Sequence, residues 1–471
     1  MPSNRQVERA AFWVTVFVAG ATFWIAPRPP MADLPQHAGQ IALWRDLLTG
    51  TSKWQSAFFI NFYTPYWLGN GLALLLSFVL PVAAAMKLLL AVTYWAFVAA
   101  SVALRRRMGA DPHLDWLFVC SFFGLAYEYG LFPFLIAAPI GLVFILLAHR
   151  HAERPSLASG VLLCLTGVAL YFSHGLTMAF AGVVGVVFLL LRGRSFTAVM
   201  LSAVPYVVLA GLCLAYALLG LAFSASTSSV PAAPQWPGLF SGLKHLLFFP
   251  IGAPKLDWLL APLVPLLLLA PVLAGCGVNR RAASFVPIGV LLLWAVAVPE
   301  SVGETWFIAY RFAMFLLPFF ALLFLAPTRN WARWIAPGLS WAFLVIHGER
   351  MVAFARESES FEQVLAAAEP GFRAQTVVAD PVSGAAQNPM AYVSFPVWYQ
   401  ADKAGLVDFN FAYFPAQVVR FRDGQPPAGE HRYYFVRRTD LSPEKPKAVD
   451  GPDFRLLRSA GEWSLFEKVG R

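Results

Sequence analysis

The chain has 471 residues, of which 58% are hydrophobic and only 13% are charged. A soluble globular domain carries about 25% charged residues, so this composition excludes an ordinary soluble protein and predicts a polytopic membrane protein. We attribute the formal net charge of +9 to orientation in the membrane and not to nucleic-acid binding, because basic residues of membrane proteins concentrate in cytoplasmic loops.

Apolar runs of about the length of a membrane span recur along the first 350 residues. They lie at 10–27, 66–80, 81–104, 113–127, 130–148, 156–173, 175–191, 197–221, 257–275, 283–298, 311–326 and 332–347. The run 66–80 is short, contains two glycines and is bounded by prolines. Such a run is typical of an interfacial helix and not of a span. Eleven predicted spans remain.

Arginine clusters support eleven spans over twelve. They occur at 105–107, at 150 and 154, at 192 and 194, at 280–281, and at 329 and 333. If the run 66–80 does not cross, every cluster lies on the same side as the N-terminus, as the positive-inside rule requires. The sequence therefore predicts a cytoplasmic N-terminus and a C-terminus on the outer face.

The composition changes near residue 350, where charged residues, prolines and glycines become frequent. The stretches RAQTVVAD and RYYFVRR predict strands, and FRLLRS with WSLFEKV predicts a hairpin. The stretch SFEQVLAAAEPG has a helical period. We predict a transmembrane domain at 1–349, with a first outer loop at 28–80 that contains juxtamembrane helices, and a small periplasmic α/β domain at 350–471.

The first outer loop contains ADLPQHAGQIALW, in which Asp33 and His37 are one helical turn apart. One interpretation is local: Asp33 caps a helix, Gln36 completes a capping box, and His37 lies on an amphipathic interfacial helix. The other interpretation is functional. In the eleven-span topology Glu128, His174 and the segment 299–311 fall on the same outer face, so one face carries most of the polar groups.

This order of elements resembles the GT-C superfamily of integral-membrane glycosyltransferases, which includes protein O-mannosyltransferases and aminoarabinose transferases. ADLPQHAGQIALW resembles the first-loop acidic motif of that superfamily, NFYTPYWLGNGLALLL its juxtamembrane helix, and VALRRRMG the basic end of its second span. AYEYGLFPFLIAAPIGLVFILLAHR resembles its second outer loop, and ETWFIAYRFAMFLLPF a late outer loop with an arginine before a span. The resemblance covers about residues 1–350.

The resemblance implies an inner-membrane enzyme that moves a sugar from a polyprenyl-phosphate donor to an acceptor at the periplasmic face, with inversion. Such a reaction needs a base near the acceptor hydroxyl and cations near the leaving phosphate. We expect Asp33 to be the base, Glu128 to be the second catalytic acid, and His37 to orient the acceptor or the acid. A hydrated interfacial carboxylate is the alternative for Glu128.

The remaining predicted substrate-binding residues also lie on the predicted outer face. Arg311 is expected to bind the phosphate beside Tyr310, with Glu300 or Glu304 as an acidic partner. A snorkelling arginine is the alternative. For His174 a substrate contact and a turn role are both open. Lys244, together with His245 and Lys255 in the long outer linker, is a weaker candidate for phosphate binding.

The acidic motif of the first predicted outer loop has one acid where the GT-C superfamily has an acid pair, the second outer loop has Glu128 alone, and the four cysteines lack metal-ligand spacing. We therefore expect no divalent metal and no cofactor. The expected partners are polyprenyl-phosphate and membrane lipids, with a glycan, lipid or protein acceptor and no nucleic acid. A transporter or flippase of a lipid-linked saccharide and a catalytically silent scaffold are the alternatives.

Overall fold

The computed structural model describes residues 4–193, 195–224, 233–252, 259–260, 262–303, 305–438 and 447–469. The α-helices are α1 Asn4–Ala21, α2 Leu34–Leu48, α3 Trp67–Ser77, α4 Val82–Met108, α5 Leu117–Cys120, α6 Leu125–Glu128, α7 Phe132–Glu153, α8 Leu157–Ser173, α9 Gly175–Leu190, α10 Phe196–Ser224, α11 Leu239–Phe248, α12 Leu263–Leu273, α13 Ala282–Ala297, α14 Leu316–Ala321, α15 Ile335–Glu357, α16 Glu359–Ala367 and α17 Trp398–Lys403. The strands are β1 Phe58–Ile60, β2 Arg373–Val378, β3 Leu406–Val407, β4 Val419–Phe421, β5 Tyr433–Arg437, β6 Phe454–Ala460 and β7 Trp463–Lys468. The predicted mostly helical fold with a small C-terminal sheet is confirmed.

The chain forms two compact units, each assembled from separate stretches of sequence. The helical unit comprises Met1–Thr22, Leu90–Tyr127 and Pro133–His347. The loop–sheet unit comprises Phe23–Leu89, Glu128–Phe132 and Gly348–Arg471. Helix α15 continues through the domain boundary that we predicted at 349/350.

Three helices in the described part of the chain are long and apolar enough to cross a membrane: α4, α7 and the segment Phe196–Gly220 of α10. Other predicted spans are shorter apolar helices, including α8, α9, α12 and α13. The predicted interfacial run at 66–80 forms the short helix α3, whose Leu75 is exposed, as is Val79 just after it. The structure does not fix the number of crossings at eleven.

Two predicted spans are not continuous helices. The run 113–127 consists of a 3₁₀ helix at Pro112–Trp116 and the short helices α5 and α6. The helix breaks near Gly124, where the backbone contacts a remote segment: an added Cβ at Gly124 would lie 2.1 Å from the carbonyl oxygen of Phe249, and Leu125 N–H donates to that oxygen at 2.9 Å. The run 311–326 similarly contains a 3₁₀ helix at Tyr310–Phe315 followed by α14.

The helical unit has a buried ion pair near the end of α4. The guanidinium of Arg105 donates to both carboxylate oxygens of Asp115, with N···O distances of 2.7 and 2.6 Å. Both side chains are almost completely buried. This two-pronged geometry is the favourable one for a buried arginine and carboxylate, because it satisfies several polar atoms at once.

The loop–sheet unit contains a five-stranded sheet in the order β3-β2-β5-β7-β6. Strand β2 pairs in parallel with β3 and β5, whereas β7 pairs antiparallel with β5 and β6. The predicted strands around 373–378 and 433–437, the C-terminal hairpin and helix α16 are confirmed.

Residues of the first loop pair with C-terminal residues inside the loop–sheet unit. Strand β1 is antiparallel to β4, with Phe59 opposite Arg420. Arg28 bonds to Glu362 and donates to Asp402 at 2.7 Å. These contacts join sequence segments more than 330 residues apart, so the first loop and the C-terminal region fold together as one unit.

Candidate functional site

Asp33 immediately precedes α2 but does not cap it through its side chain. Its backbone has helical dihedral angles of −97° and −8°, and no side-chain cap hydrogen bond is formed. The local interpretation as a capping box is wrong, because the Gln36 side chain bonds to the C-terminal region. Its amide donates to the carbonyl of Phe409 at 3.1 Å, and its oxygen accepts from the amide of Phe411 at 3.0 Å. The half-buried Asp33 side chain therefore does not cap α2.

The structure brings Asp33 and Glu128 together through the main chain. Ala32 N–H donates to the carbonyl of Glu128 at 3.0 Å, and Asp33 N–H donates to the carbonyl of Tyr129 at 2.9 Å. Two consecutive backbone bonds of this kind fix the spacing of the two short segments. Glu128 is half-buried, as Asp33 is. The two predicted catalytic acids thus lie on adjoining stretches of backbone within the loop–sheet unit.

Gly130 and Asn388 hold these two stretches in place. Gly130 has φ of +70°, and a Cβ at this position would lie 2.8 Å from the nitrogen of Leu34 and 3.1 Å from that of Asp33. Only glycine combines this backbone conformation with so close an approach. The side-chain amide of Asn388 donates to the carbonyls of Pro30 at 2.7 Å and Glu128 at 3.0 Å, so it joins the two segments from the C-terminal side.

Tyr129 is close enough to Glu128 and Asp33 for both charges to affect its pKa. Burial raises the pKa of the Tyr129 hydroxyl, and the negative charges of Glu128 and Asp33 raise it further. Because ionised phenol is an anion, two nearby carboxylates oppose its formation. Tyr129 therefore stays protonated at neutral pH, as a hydrogen-bond donor beside the two acids.

His37 is buried next to this acidic pair. It is 4% exposed and lies between the rings of Phe132 and Phe411, with ring centroids 5.7 and 5.2 Å away. Helix α2 is buried continuously from Leu34 to Trp44, so the interpretation of His37 as an interfacial residue on an amphipathic helix is wrong. Burial lowers the pKa of His37 to about 3, which keeps its ring neutral at physiological pH. Its Nδ1 has no hydrogen-bond partner among the described residues.

In the helical unit the structure brings together His174 and Arg311. His174 links α8 to α9, and its Nδ1 accepts from the backbone amide of Thr177 at 3.3 Å. Its Nε2 lies 3.3 Å from Nη1 of Arg311. The turn role considered for His174 is therefore present, and this residue also contacts the predicted phosphate ligand.

Arg311 is 7% exposed, so the snorkelling interpretation is wrong. Its Nε donates to the carbonyl of Phe307 at 3.0 Å, and its Nη2 donates to that of Trp306 at 2.6 Å. The guanidinium also lies over the ring of Phe134, 5.9 Å from the centroid. These contacts hold the cation rigidly inside the helical unit.

The other predicted substrate-binding residues have different surroundings. Tyr310 is buried, and its hydroxyl donates to Glu300 at 3.3 Å. The ring of His245 packs 4.3 Å from that of Tyr310, whereas the neighbouring Lys244 is exposed. Glu304 and Lys255 lie outside the described residues. The prediction that Asp33, Glu128 and Arg311 line one cavity stays a prediction.

Sequence analysis missed Gly130 and Asn388 and assigned Gln36 to a capping box, although these residues position the Asp33 segment. Only Gly130 and Gln36 lie in motifs that carried the resemblance. Asn388 gives no local signal, because its two acceptors are 358 and 260 residues away. Among the described residues, no group of three or more His, Cys, Asp and Glu side chains is arranged to hold a metal ion.

No protein-family model and no curated protein sequence matches the chain. The chain is similar to two crystal structures of ArnT from Cupriavidus metallidurans. For the structure bound to undecaprenyl phosphate the TM-score is 0.49 with 13% identity, and for the apo structure the TM-score is 0.47 with 14% identity. Both matches cover 97% of this chain and 98% of ArnT. At 13% and 14% identity these two matches describe a likeness in structure, and the resemblance to GT-C enzymes stays the prediction made from the sequence.

Proposed function

We propose that this protein is a membrane glycosyltransferase that moves a sugar from a polyprenyl-phosphate donor to a hydroxyl acceptor. In the proposed topology the chain crosses the inner membrane eleven times, with interrupted helices at 113–127 and 311–326, a cytoplasmic N-terminus and a periplasmic C-terminal region. The reaction inverts the anomeric centre and uses no metal. The observation that carries the proposal is the backbone bonding between the segments of Asp33 and Glu128, the two acids that the resemblance to GT-C enzymes suggests as catalytic.

The geometry supports a role for Asp33 as the general base. Its carboxylate is not committed to the helix cap, while its backbone is fixed by the bond to Tyr129. A fixed, half-buried carboxylate can accept the proton of an acceptor hydroxyl as the oxygen attacks the anomeric carbon. The bond between that carbon and the phosphate oxygen then breaks, and the polyprenyl phosphate leaves as an anion.

Glu128 and Tyr129 lie on the stretch whose carbonyls accept from the amides of Ala32 and Asp33. In the proposed mechanism Glu128 binds the acceptor hydroxyls, while the protonated Tyr129 donates to them. Arg311 supplies positive charge for the departing phosphate, since a guanidinium matches two phosphate oxygens. His37, which is neutral and packed against Phe132 and Phe411, orients Asp33 or the acceptor and does not supply a cation.

The test is a transfer assay with the purified full-length protein in nanodiscs. The donor is a sugar on undecaprenyl phosphate, the lipid present in one of the ArnT structures. Asp33→Asn removes the base while keeping the shape of the side chain, and we expect the rate to fall by about 10²- to 10⁴-fold. The matched control is Asp423→Asn, which removes an exposed carboxylate from the same unit. Equal rates for both variants, or lipid binding without any transfer by the wild type, would contradict the proposal.

A further inference from the structure

A cavity of about 400 Å³ lies inside the helical unit, where the C-terminal ends of α4, α7 and α9 meet the N-terminal end of α13. Its lining combines charged residues with a few apolar ones. The lining residues are Arg107, Met108, His149, Glu153, Phe188, Leu191, Arg192, Arg281, Ala282 and Ala283. The volume is within the range of pockets that hold small ligands, about 300–1,000 Å³.

Three arginines from three different helix ends converge on this cavity: Arg107, Arg192 and Arg281. Among the described residues, the only carboxylate in its lining is that of Glu153. With three arginines against one glutamate, the charged lining has a formal charge of +2. Like charges repel at this range, so negative charge nearby, from helix C-terminal ends or from a bound anion, stabilises such a wall in addition to solvent screening.

Glu153 compensates only part of this charge. It pairs with Arg107 and with Nη2 of Arg192, the latter at 2.8 Å. For Arg281, no carboxylate of the described residues forms an ion pair with its nitrogens; its Nη1 donates to the carbonyl of Met108 at 3.3 Å. Arg281 thus contributes a guanidinium that is held by a protein carbonyl and carries an uncompensated charge in the described structure.

The start of α13 adds neutral donors to the same wall. Ala282 and Ala283 are the first two residues of this 16-residue helix, and both line the cavity. Backbone N–H groups in a first turn have no acceptor within the helix and carry partial positive charge. Arginine guanidinium groups beside such N–H groups can donate hydrogen bonds to the oxygens of a phosphate.

Membrane orientation alone does not account for this arrangement. The positive-inside rule requires basic residues on one side of the membrane, but it does not require them to share a cavity. Arg280 and Arg281 are adjacent, both are exposed and both satisfy the rule, but only Arg281 lines the cavity. The convergence of Arg107, Arg192 and Arg281 is therefore a separate feature, and in the proposed topology it lies on the side of the membrane opposite to the outer loops.

We propose that this cavity binds a phosphate group, held by Arg281, Arg192 and Arg107 and by the first N–H groups of α13. The source of the phosphate is either the headgroup of an anionic phospholipid in the adjoining leaflet or a soluble phosphate compound. This site is independent of the proposed sugar transfer, because it shares no residue with Asp33, Glu128 or Arg311.

The test compares two neighbouring charge removals in the full-length protein, Arg281→Gln and the control Arg280→Gln. Both lose one positive charge from the same loop, but only the first changes the cavity. Binding of phosphatidylglycerol to the detergent-solubilised protein is measured by native mass spectrometry. Binding of inorganic phosphate is measured by thermal shift, against sodium chloride at equal ionic strength, so that general screening is matched.

We expect Arg281→Gln to weaken binding of the phosphate-bearing probe about tenfold, because one charge-assisted hydrogen-bond partner is lost. Arg280→Gln is expected to leave it unchanged. Loss with phosphatidylglycerol alone identifies a lipid headgroup, and loss with inorganic phosphate identifies a soluble ligand. If both variants bind like the wild type, or if both weaken equally, the proposal is overturned. Should Arg281→Gln fail to fold, Arg192→Gln provides the same comparison.

Discussion

Replacing Gly130 by alanine tests whether the spacing between Asp33 and Glu128 matters for activity. Gly130 has φ of +70°, a conformation that costs an L-residue about 1–2 kcal/mol. The added methyl group would also lie 2.8 Å from the nitrogen of Leu34, closer than a Cβ can approach backbone. We expect this overpacking to cost about 1–3 kcal/mol more and to push the start of α2 away from residues 128–129.

Gly50→Ala is the matched control for this change. Gly50 belongs to the same unit and has φ of +69°, but nothing lies within 4 Å of the position of its Cβ. In Gly50→Ala the positive φ is unfavourable for alanine, but the added methyl group meets no neighbouring atom. Subtracting its effect from that of Gly130→Ala leaves the cost of displacing the Asp33 segment.

The assays are thermal unfolding in nanodiscs and the transfer reaction described above. Each kcal/mol of lost stability shifts the melting temperature of a unit this size by about 2–4 °C. We expect Gly130→Ala to melt below Gly50→Ala and to lose about 100-fold in rate, as a displacement of about 1 Å in a catalytic group does. Equal transfer rates in the two variants would show that the Asp33–Glu128 spacing is irrelevant to the reaction.

Three further predictions concern stability and topology. Asp115→Asn should destabilise the protein by about 3–5 kcal/mol by leaving Arg105 buried without its ion pair, and combining Asp115→Leu with Arg105→Met should recover most of this loss in thermal unfolding. The pKa of His37 is lower in the folded than in the unfolded state, so its full contribution to stability is present above pH 6.5. Below that pH the free energy of unfolding falls by about 1.4 kcal/mol per pH unit as the pH decreases towards 3. The free energy of unfolding of His37→Gln should depend less steeply on pH over this range. Reporters fused after Gly109 should report the cytoplasm and those fused after Arg471 the periplasm, and a cytoplasmic result at Arg471 would contradict the eleven-span topology.

Local patterns were sufficient to predict the regular elements. Helices α4, α7 and α10 contain long apolar runs, and the β6–β7 hairpin has alternating strands around a tight turn, so each is encoded within a few dozen residues. The interruption of the run 113–127 could not be predicted in this way. It depends on the carbonyl of Phe249, which occupies the space beside Gly124 and bonds to Leu125.

Only part of the candidate site could be predicted, because the contacts that position its residues are also non-local. Topology alone placed Asp33 and Glu128 on the same face, and resemblance singled out both. The contacts that fix them are non-local: Gln36 binds to Phe409 and Phe411, and Asn388 donates to the carbonyl of Glu128. A single sequence contains no periodicity that links positions so far apart. For the same reason the pairing of β1 with β4 was not predicted.

The charge state of His37 limits which residues can bind the leaving phosphate. Its pKa of about 3 means that protonation at neutral pH would cost about 5 kcal/mol, so the ring beside Asp33 does not act as a cation. In the proposed mechanism a side-chain cation for the phosphate therefore comes from arginine or lysine. Lys244 is exposed and its hydration weakens its attraction for an anion, whereas Arg311 is buried and rigidly held by Phe307, Trp306 and His174. A cation fixed before the reaction stabilises developing charge without reorganising, which makes Arg311 the stronger phosphate ligand in the proposed mechanism.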